Sequence, residues 1–210
     1  MNNRFSLIGL CMIVVGVLTL MAAGGFWFYN DQENSVAADF SEQTVQSLLL
    51  RIRQLEPRQG TVPLMRGHDG IMASDEVEAK EMTHIEIDGE AYIGVLNIPA
   101  LGLSLPVNRD WSYPLLKLTP CRYVGDIHED NLVIMAHNYN SHFGELSTLY
   151  VGDAVKLTDA DGAEHWYMVE KVGPVPPTFD DEVKNSGYDL TLFTCTYSGK
   201  ARIVVWCNRF

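Results

Sequence analysis

Basic charge is scarce in this chain. Its 210 residues hold 15 Lys and Arg against 27 Asp and Glu, a formal net charge of −12. That balance argues against general nucleic-acid binding, which depends on cations at the phosphates. Cysteine is scarce too. Cys11, Cys121, Cys195 and Cys207 form no C-x-x-C pair and no metal-ligand spacing, so neither a zinc site nor a cofactor is expected. Spacing does not say whether any of them pair, and a Cys195–Cys207 bridge stays open. No internal repeat is evident. From Phe5 to Tyr29 charge is missing altogether. A run of about 25 residues, rising 1.5 Å each, spans the roughly 30 Å core of a bilayer.

Arg4 precedes that run, and Asp31 and Glu33 follow it. The asymmetry points to a single-pass anchor with its N-terminus in the cytoplasm and the bulk of the chain outside. The aromatic cluster Phe26-Trp27-Phe28-Tyr29 suits a membrane interface. A cleaved signal peptide is the competing reading, with Ala22, Ala23 and Gly24 near a cut site, but the run is long for one. Cys11 follows Leu10 rather than a small residue and reads as a buried apolar thiol. Residues 1–30 are thus assigned to the cytoplasmic end and anchor, 31–85 to an amphipathic helix and linker, and 86–210 to a further domain.

In the middle segment, Val45, Leu48, Leu49, Ile52 and Leu55 form a one-sided helical stripe. Ser41 is placed to cap it, and Pro57 and Gly60 to stop it. Such a stripe is ordinarily a packing face. From Arg58 to Thr83 the chain is polar and aperiodic and reads as a linker, with His68 and His84 solvated.

The second half is built of short strands. They are expected at 91–98, 103–107, 121–124, 132–136, 154–158, 166–172, 189–195 and 202–207, with Gly173 to Pro177 ending the sixth. Only Tyr113–Leu118 and Phe143–Tyr150 have helical character. Seven or eight such strands read as a small closed β-barrel, so the fold class is mainly β with one or two short helices behind an N-terminal transmembrane helix.

Three reactive side chains fall at strand ends: His137, Cys195 and Arg202. A thiol is a strong nucleophile only as a thiolate, which nearby positive charge or hydrogen bonds favour. A histidine can supply that charge and then act as general acid. A permanently protonated arginine can stabilise a developing oxyanion. Each has a bland alternative: a satisfied surface histidine, a buried cysteine, a solvated edge arginine.

The run Thr191-Leu192-Phe193-Thr194-Cys195 has the form T-L-x-T-C, which resembles the active-site signature of the sortases, cysteine transpeptidases of Gram-positive cell surfaces. Arg202 opening the next strand, His137 in Met135-Ala136-His137-Asn138, and Ile93 to Pro99 followed by Leu105-Pro106-Val107 are similar to the family too. The resemblance covers about Tyr92 to the C-terminus. It implies that Cys195 attacks the carbonyl of a threonine in a C-terminal sorting signal of a surface protein. His137 would serve the departing and incoming amines, and Arg202 would hold substrate and oxyanion. Thr194 and Asn138 would help bind substrate. An amine of peptidoglycan precursor or a pilin lysine would resolve the acyl-enzyme. Cys195-Thr196-Tyr197-Ser198, His137-Asn138 and Phe143-Gly144-Glu145-Leu146 are similar to class B sortases, but the His137–Cys195 interval is short for the class B insertion. Two other readings stay open: a cysteine peptidase using water, and a non-catalytic anchored β-barrel binding module. Asp126, Glu129 and Asp130 read as a solvated loop rather than a calcium site, which needs 6–8 convergent oxygens. No metal is therefore expected. His128 and His142 read as surface residues, and Cys121 and Cys207 as core thiols, with Cys207 facing away from Arg202 by strand alternation.

Overall fold

A computed structural model describes residues 2–55, 82–178, 183–196 and 199–210. Residues 58–81 of the expected linker, with His68, lie outside them. One helix, α1, runs from Asn2 to Leu55. This corrects the expectation of a second helix capped at Ser41. No Gly or Pro occurs between Phe26 and Leu55. Extending a helix adds one hydrogen bond per residue fixed, whereas starting another needs a new nucleus. Ser41 is buried instead, and its Oγ donates to the Leu118 carbonyl at 3.2 Å. The helix is long and apolar enough to cross a membrane. Cys11 is exposed on its surface, not packed within the protein as expected.

Among the described residues nine strands follow: β1 (Ile85–Ile87), β2 (Glu90–Ile98), β3 (Leu103–Asn108), β4 (Cys121–Val124), β5 (Leu132–Met135), β6 (Ala154–Asp159), β7 (Glu164–Val175), β8 (Leu190–Cys195) and β9 (Arg202–Arg209). Their order is β1-β2-β3-β4-β5-β8-β9-β7-β6, and a β2–β6 pairing closes the ring. The barrel therefore has eight strands, β2 to β9. The ninth, β1, adds to β2 through Asp88-Gly89, whose φ values of 51° and 86° are those of a tight primed hairpin turn. A single helical turn, α2 (Tyr113–Leu116), is capped by Ser112 Oγ, which accepts from Leu115 N.

Three apolar clusters organise the packing. Inside the barrel lie Ile93, Leu96, Ile98, Ile134, Leu192 and Val205 with their neighbours. Val45, Leu48 and Ile52 of α1 bury against Ile85, Ile87, Tyr92 and Val95, which docks the helix on the β1–β2 hairpin. The third cluster, on the opposite sheet face to the barrel core, holds Val133, Met135, Phe193, Val204 and Trp206.

Closure depends on Gly94. Its φ is 153°, and a Cβ there would collide with the Thr158 carbonyl of β6. Gly94→Ala should cost about 2 kcal/mol, or roughly 5 °C in a thermal melt of the full chain. An unchanged melting temperature would show that β6 can give way.

Strand β7 is longer than expected. It continues past Gly173 to Val175, which lies opposite Arg202. Pairing with β6 reaches only Met168, so Pro174 sits where one side of β7 is open and its missing N–H breaks no ladder on that side. The extension braces the start of β9.

Candidate active site

Strands β5 and β8 run parallel, with Met135 opposite Phe193. Two residues further along each chain are His137 and Cys195. They leave the sheet side by side at the same end of neighbouring strands. Strands β8 and β9 are antiparallel and pair Cys195 with Arg202 directly. The faces agree as well. Residues alternate sides along a strand. Val133 and Met135 of β5, Phe193 of β8, and Val204 and Trp206 of β9 all belong to the cluster on the face away from the barrel core. Cys195 and Arg202 continue the series of β8 and β9, and His137 follows two residues past the end of β5. A thiol and a guanidinium thus share one face at one end of a rigid sheet, and the imidazole is carried on the loop that leaves the neighbouring strand at that same end.

Cys195 is free and exposed, whereas the other two thiols of the barrel, Cys121 and Cys207, are free but buried. Burial pushes both buried thiols up to about 12. Cys207 packs in the barrel core while Trp206 packs in the opposite cluster, as strand alternation predicts. The Arg202 guanidinium lies over the Phe193 ring, 5.3 Å from its centroid. Thr194 is buried, and its hydroxyl donates to the Ala136 carbonyl at 2.9 Å. That bond ties the cysteine strand to the backbone just before His137. The hydroxyl is therefore engaged in joining the strand ends.

His137 is held on two sides. The backbone N–H of Asn138 donates to its Nδ1 at 3.1 Å. Its ring stacks on Tyr139, with centroids 4.3 Å apart and planes 8° off parallel. Partial desolvation lowers its pKa below 6.5; the charge of Glu33 raises it and that of Lys117 lowers it.

His142 departs from expectation. It is fully buried, not a surface residue. The chain turns tightly here, with His142 N bonded to the Tyr139 carbonyl and Gly144 N to the same oxygen, and this folds the side chain inward. Neither ring nitrogen has a hydrogen-bond partner. Desolvation lowers its pKa to about 4, outweighing the opposing pull of the Leu118 carbonyl. The unfolded chain binds a proton at about pH 6.5, where the folded chain does not. Stability is therefore complete above pH 6.5 and falls as pH drops toward 4, by roughly 3 kcal/mol from this group. Melts between pH 7 and 4 should show the loss, and His142→Phe should flatten it. An unchanged slope in that variant would assign the acid limb elsewhere.

The acidic loop is engaged by the chain itself. Arg209 pairs with Asp130 at 2.6 Å and donates to the Ile127 carbonyl at 2.7 Å. Among the described residues no group of three His, Cys, Asp or Glu is placed to hold a metal ion.

Residues 96–210 match the family model of the Sortase domain. The chain belongs to the sortase family. A relative, "Sortase A" of Bacillus anthracis, is 28% identical over 128 residues, covering 58% of this chain and 60% of that protein. The match therefore spans less than two thirds of that relative's length. The solved "Sortase D5 transpeptidase" of Clostridium perfringens superposes with a TM-score of 0.50 at 23% identity, over 57% of this chain and 79% of that one. "Sortase A from Corynebacterium diphtheriae" gives a TM-score of 0.50 at 21% identity, over 58% and 61%. Those two likenesses concern the sortase barrel fold. Against that family background, sequence reasoning missed Tyr139 of the histidine loop, Glu33 and Asn34 that bond to the loop, and Lys117 that pairs with Glu33. Only Tyr139, two positions after His137, carried any local signal. Nothing in a linear reading places residues near position 33 beside residues near 139.

Proposed function

We propose that this sortase is a membrane-anchored cysteine transpeptidase with Cys195 as nucleophile, His137 as general acid and base, and Arg202 as oxyanion partner. The observation supporting it most is the register that pairs Cys195 with Arg202 and ends β5, which leads into His137, beside β8. The Cys195 thiolate attacks a peptide carbonyl, and the guanidinium of Arg202 offsets the charge that develops on its oxygen. The C–N bond breaks, the His137 imidazolium gives its proton to the leaving amine, and a thioester remains. An incoming amine then attacks the thioester, loses a proton to His137 and releases the thiolate. Thr194 sets the spacing of the two strand ends, and Asn138 orients the imidazole through its backbone.

The substrate class that fits is a surface protein carrying a C-terminal sorting signal, cleaved after Thr. The acceptor is an amine of peptidoglycan precursor or a pilin subunit. The apolar run of α1 spans the cell membrane with Arg4 on the cytoplasmic side and the barrel outside. Trapping tests the proposal. The full chain in detergent is incubated with a library of sorting-signal peptides, quenched in acid and analysed by intact mass. A thioester adduct on Cys195 is the expected result. Added triglycine should then appear in the product. If triglycine never enters the product and hydrolysis proceeds unaffected, water is the acceptor and the chain is a peptidase. If Cys195 shows no unusual reactivity toward thiol probes and forms no adduct, the barrel is a binding module.

A further inference from the structure

The histidine loop is gripped by the helix that carries the apolar run. Glu33 and Asn34 of α1 lie one turn beyond Tyr29, the last residue of that run. The Tyr139 hydroxyl donates to Glu33 Oε2 at 2.9 Å. Tyr29 and Lys117 each donate to Glu33 Oε1 at 2.8 Å. Asn34 Oδ1 accepts from Ser141 N at 3.0 Å, and Ser141 Oγ donates to the Asn34 carbonyl at 3.2 Å. The three bonds from Tyr139 and Ser141 each span more than a hundred residues of sequence and converge on one short loop.

Tyr139 is the link to the chemistry. It is buried, with only 4% of its surface exposed, and its ring lies flat against the His137 imidazole. Three donors hold the Glu33 carboxylate charged, with its pKa lowered to about 2. Burial and the neighbouring carboxylate raise the Tyr139 pKa, so its phenol stays protonated and keeps donating. A ring fixed at its hydroxyl end presents a fixed face at the other. The imidazole on that face loses its freedom to swing.

We propose that Glu33 is a positioning residue for His137, acting through the Tyr139 ring, so that the first turn of α1 beyond the apolar run completes the active site. This rests on the role given to His137 above. An ordinary docking contact would need none of that alignment, and the two differ in what mutation does. Charged or titratable groups around the imidazole are Glu33 and Tyr29 from α1, Lys117 after α2, Tyr139 and His142 of its own loop, and Cys195 and Arg202 at the ends of β8 and β9. Glu33 favours the protonated ring and Lys117 opposes it.

The test uses the full chain in detergent micelles, with E33Q, Y139F and the double variant. Ring-labelled histidine gives the His137 titration by NMR. E33Q should lower that pKa by about half a unit, because a charge that favours the imidazolium is gone. With free sorting-signal peptide of the sequence found by trapping as substrate, E33Q and Y139F should each lower kcat about tenfold with KM within about twofold, since misplacement of a catalytic group is felt in the chemical step. The double variant should be no worse than either single one, because both cut the same link. E33D should restore part of the rate. An unchanged His137 titration together with unchanged kcat in both single variants overturns the proposal. So do losses in the two variants that multiply. If no peptide is trapped and no turnover occurs in the parent chain, the transpeptidase reading fails, and the NMR titration still reports whether Glu33 acts on the ring.

Discussion

Cys195→Ala is expected to lower acyl transfer by about 10⁴-fold or more while leaving the barrel folded, because no other group can form the thioester. The fold should survive because Cys195 is exposed at the last position of β8, so losing its sulfur opens no cavity in the core. The residues that hold β8 in place lie earlier in the strand: Leu190 and Leu192 in the barrel core, and Phe193 in the opposite cluster. Thr194 keeps its bond to Ala136 in the variant. The measurement pairs turnover of a trapped peptide with a thermal melt. Substantial turnover in the alanine variant would remove Cys195 from the mechanism, since neither buried barrel thiol is placed to substitute for it.

Arg202→Ala should cost about 10²- to 10³-fold in kcat, the range found when a fixed donor to an oxyanion is removed. The direct pairing of Arg202 with Cys195 across β8 and β9 sets the two residues side by side without any loop to hold them. Its seat over the Phe193 ring narrows its orientation further. Arg202→Lys should recover only part of the loss. An ammonium is a point charge on a flexible stem and cannot reproduce a planar donor fork lying on an aromatic face. Recovery of the full rate in the lysine variant would mean that charge alone matters at this position. Unchanged kcat in the alanine variant would assign the oxyanion contact to another donor.

The barrel was legible because its strands follow simple rules. Ile93 to Ile98 and Leu132 to Met135 are dense in β-branched and apolar residues between turn signals, and they are strands. Strand β1 escaped notice although Asp88-Gly89 is a strong hairpin signal, since three residues are too few to show a period. The end of β7 was lost to the weight given to Pro174, which a one-sided strand tolerates. The three proposed site residues are read by type and position alone. That Cys195 pairs with Arg202 and that β5 lies beside β8 could not be read, because it depends on which strands become neighbours. His142 shows the limit of composition most plainly: histidine is ordinarily wet, and only a tight loop turned inward makes it dry. The brace from Glu33 had no signal at all, since a carboxylate after an apolar run looks like any solvated flank.

The unbroken course of α1 has a mechanical consequence. Tyr29 and Glu33 are four residues apart, about 6 Å along a helix axis. With the apolar run in a bilayer, the barrel stands on a stiff, short post and not on a tether. Its height above the lipid surface is then fixed to within about a turn of helix. Any substrate held in the same bilayer meets the thiol by lateral diffusion, at an effective concentration governed by how well its own reach matches that height. Too few residues between the cleaved bond and the lipid leave the bond short of Cys195, and too many dilute it. Under the proposed function such a post would act as a ruler, so that substrates are selected by length as well as by sequence.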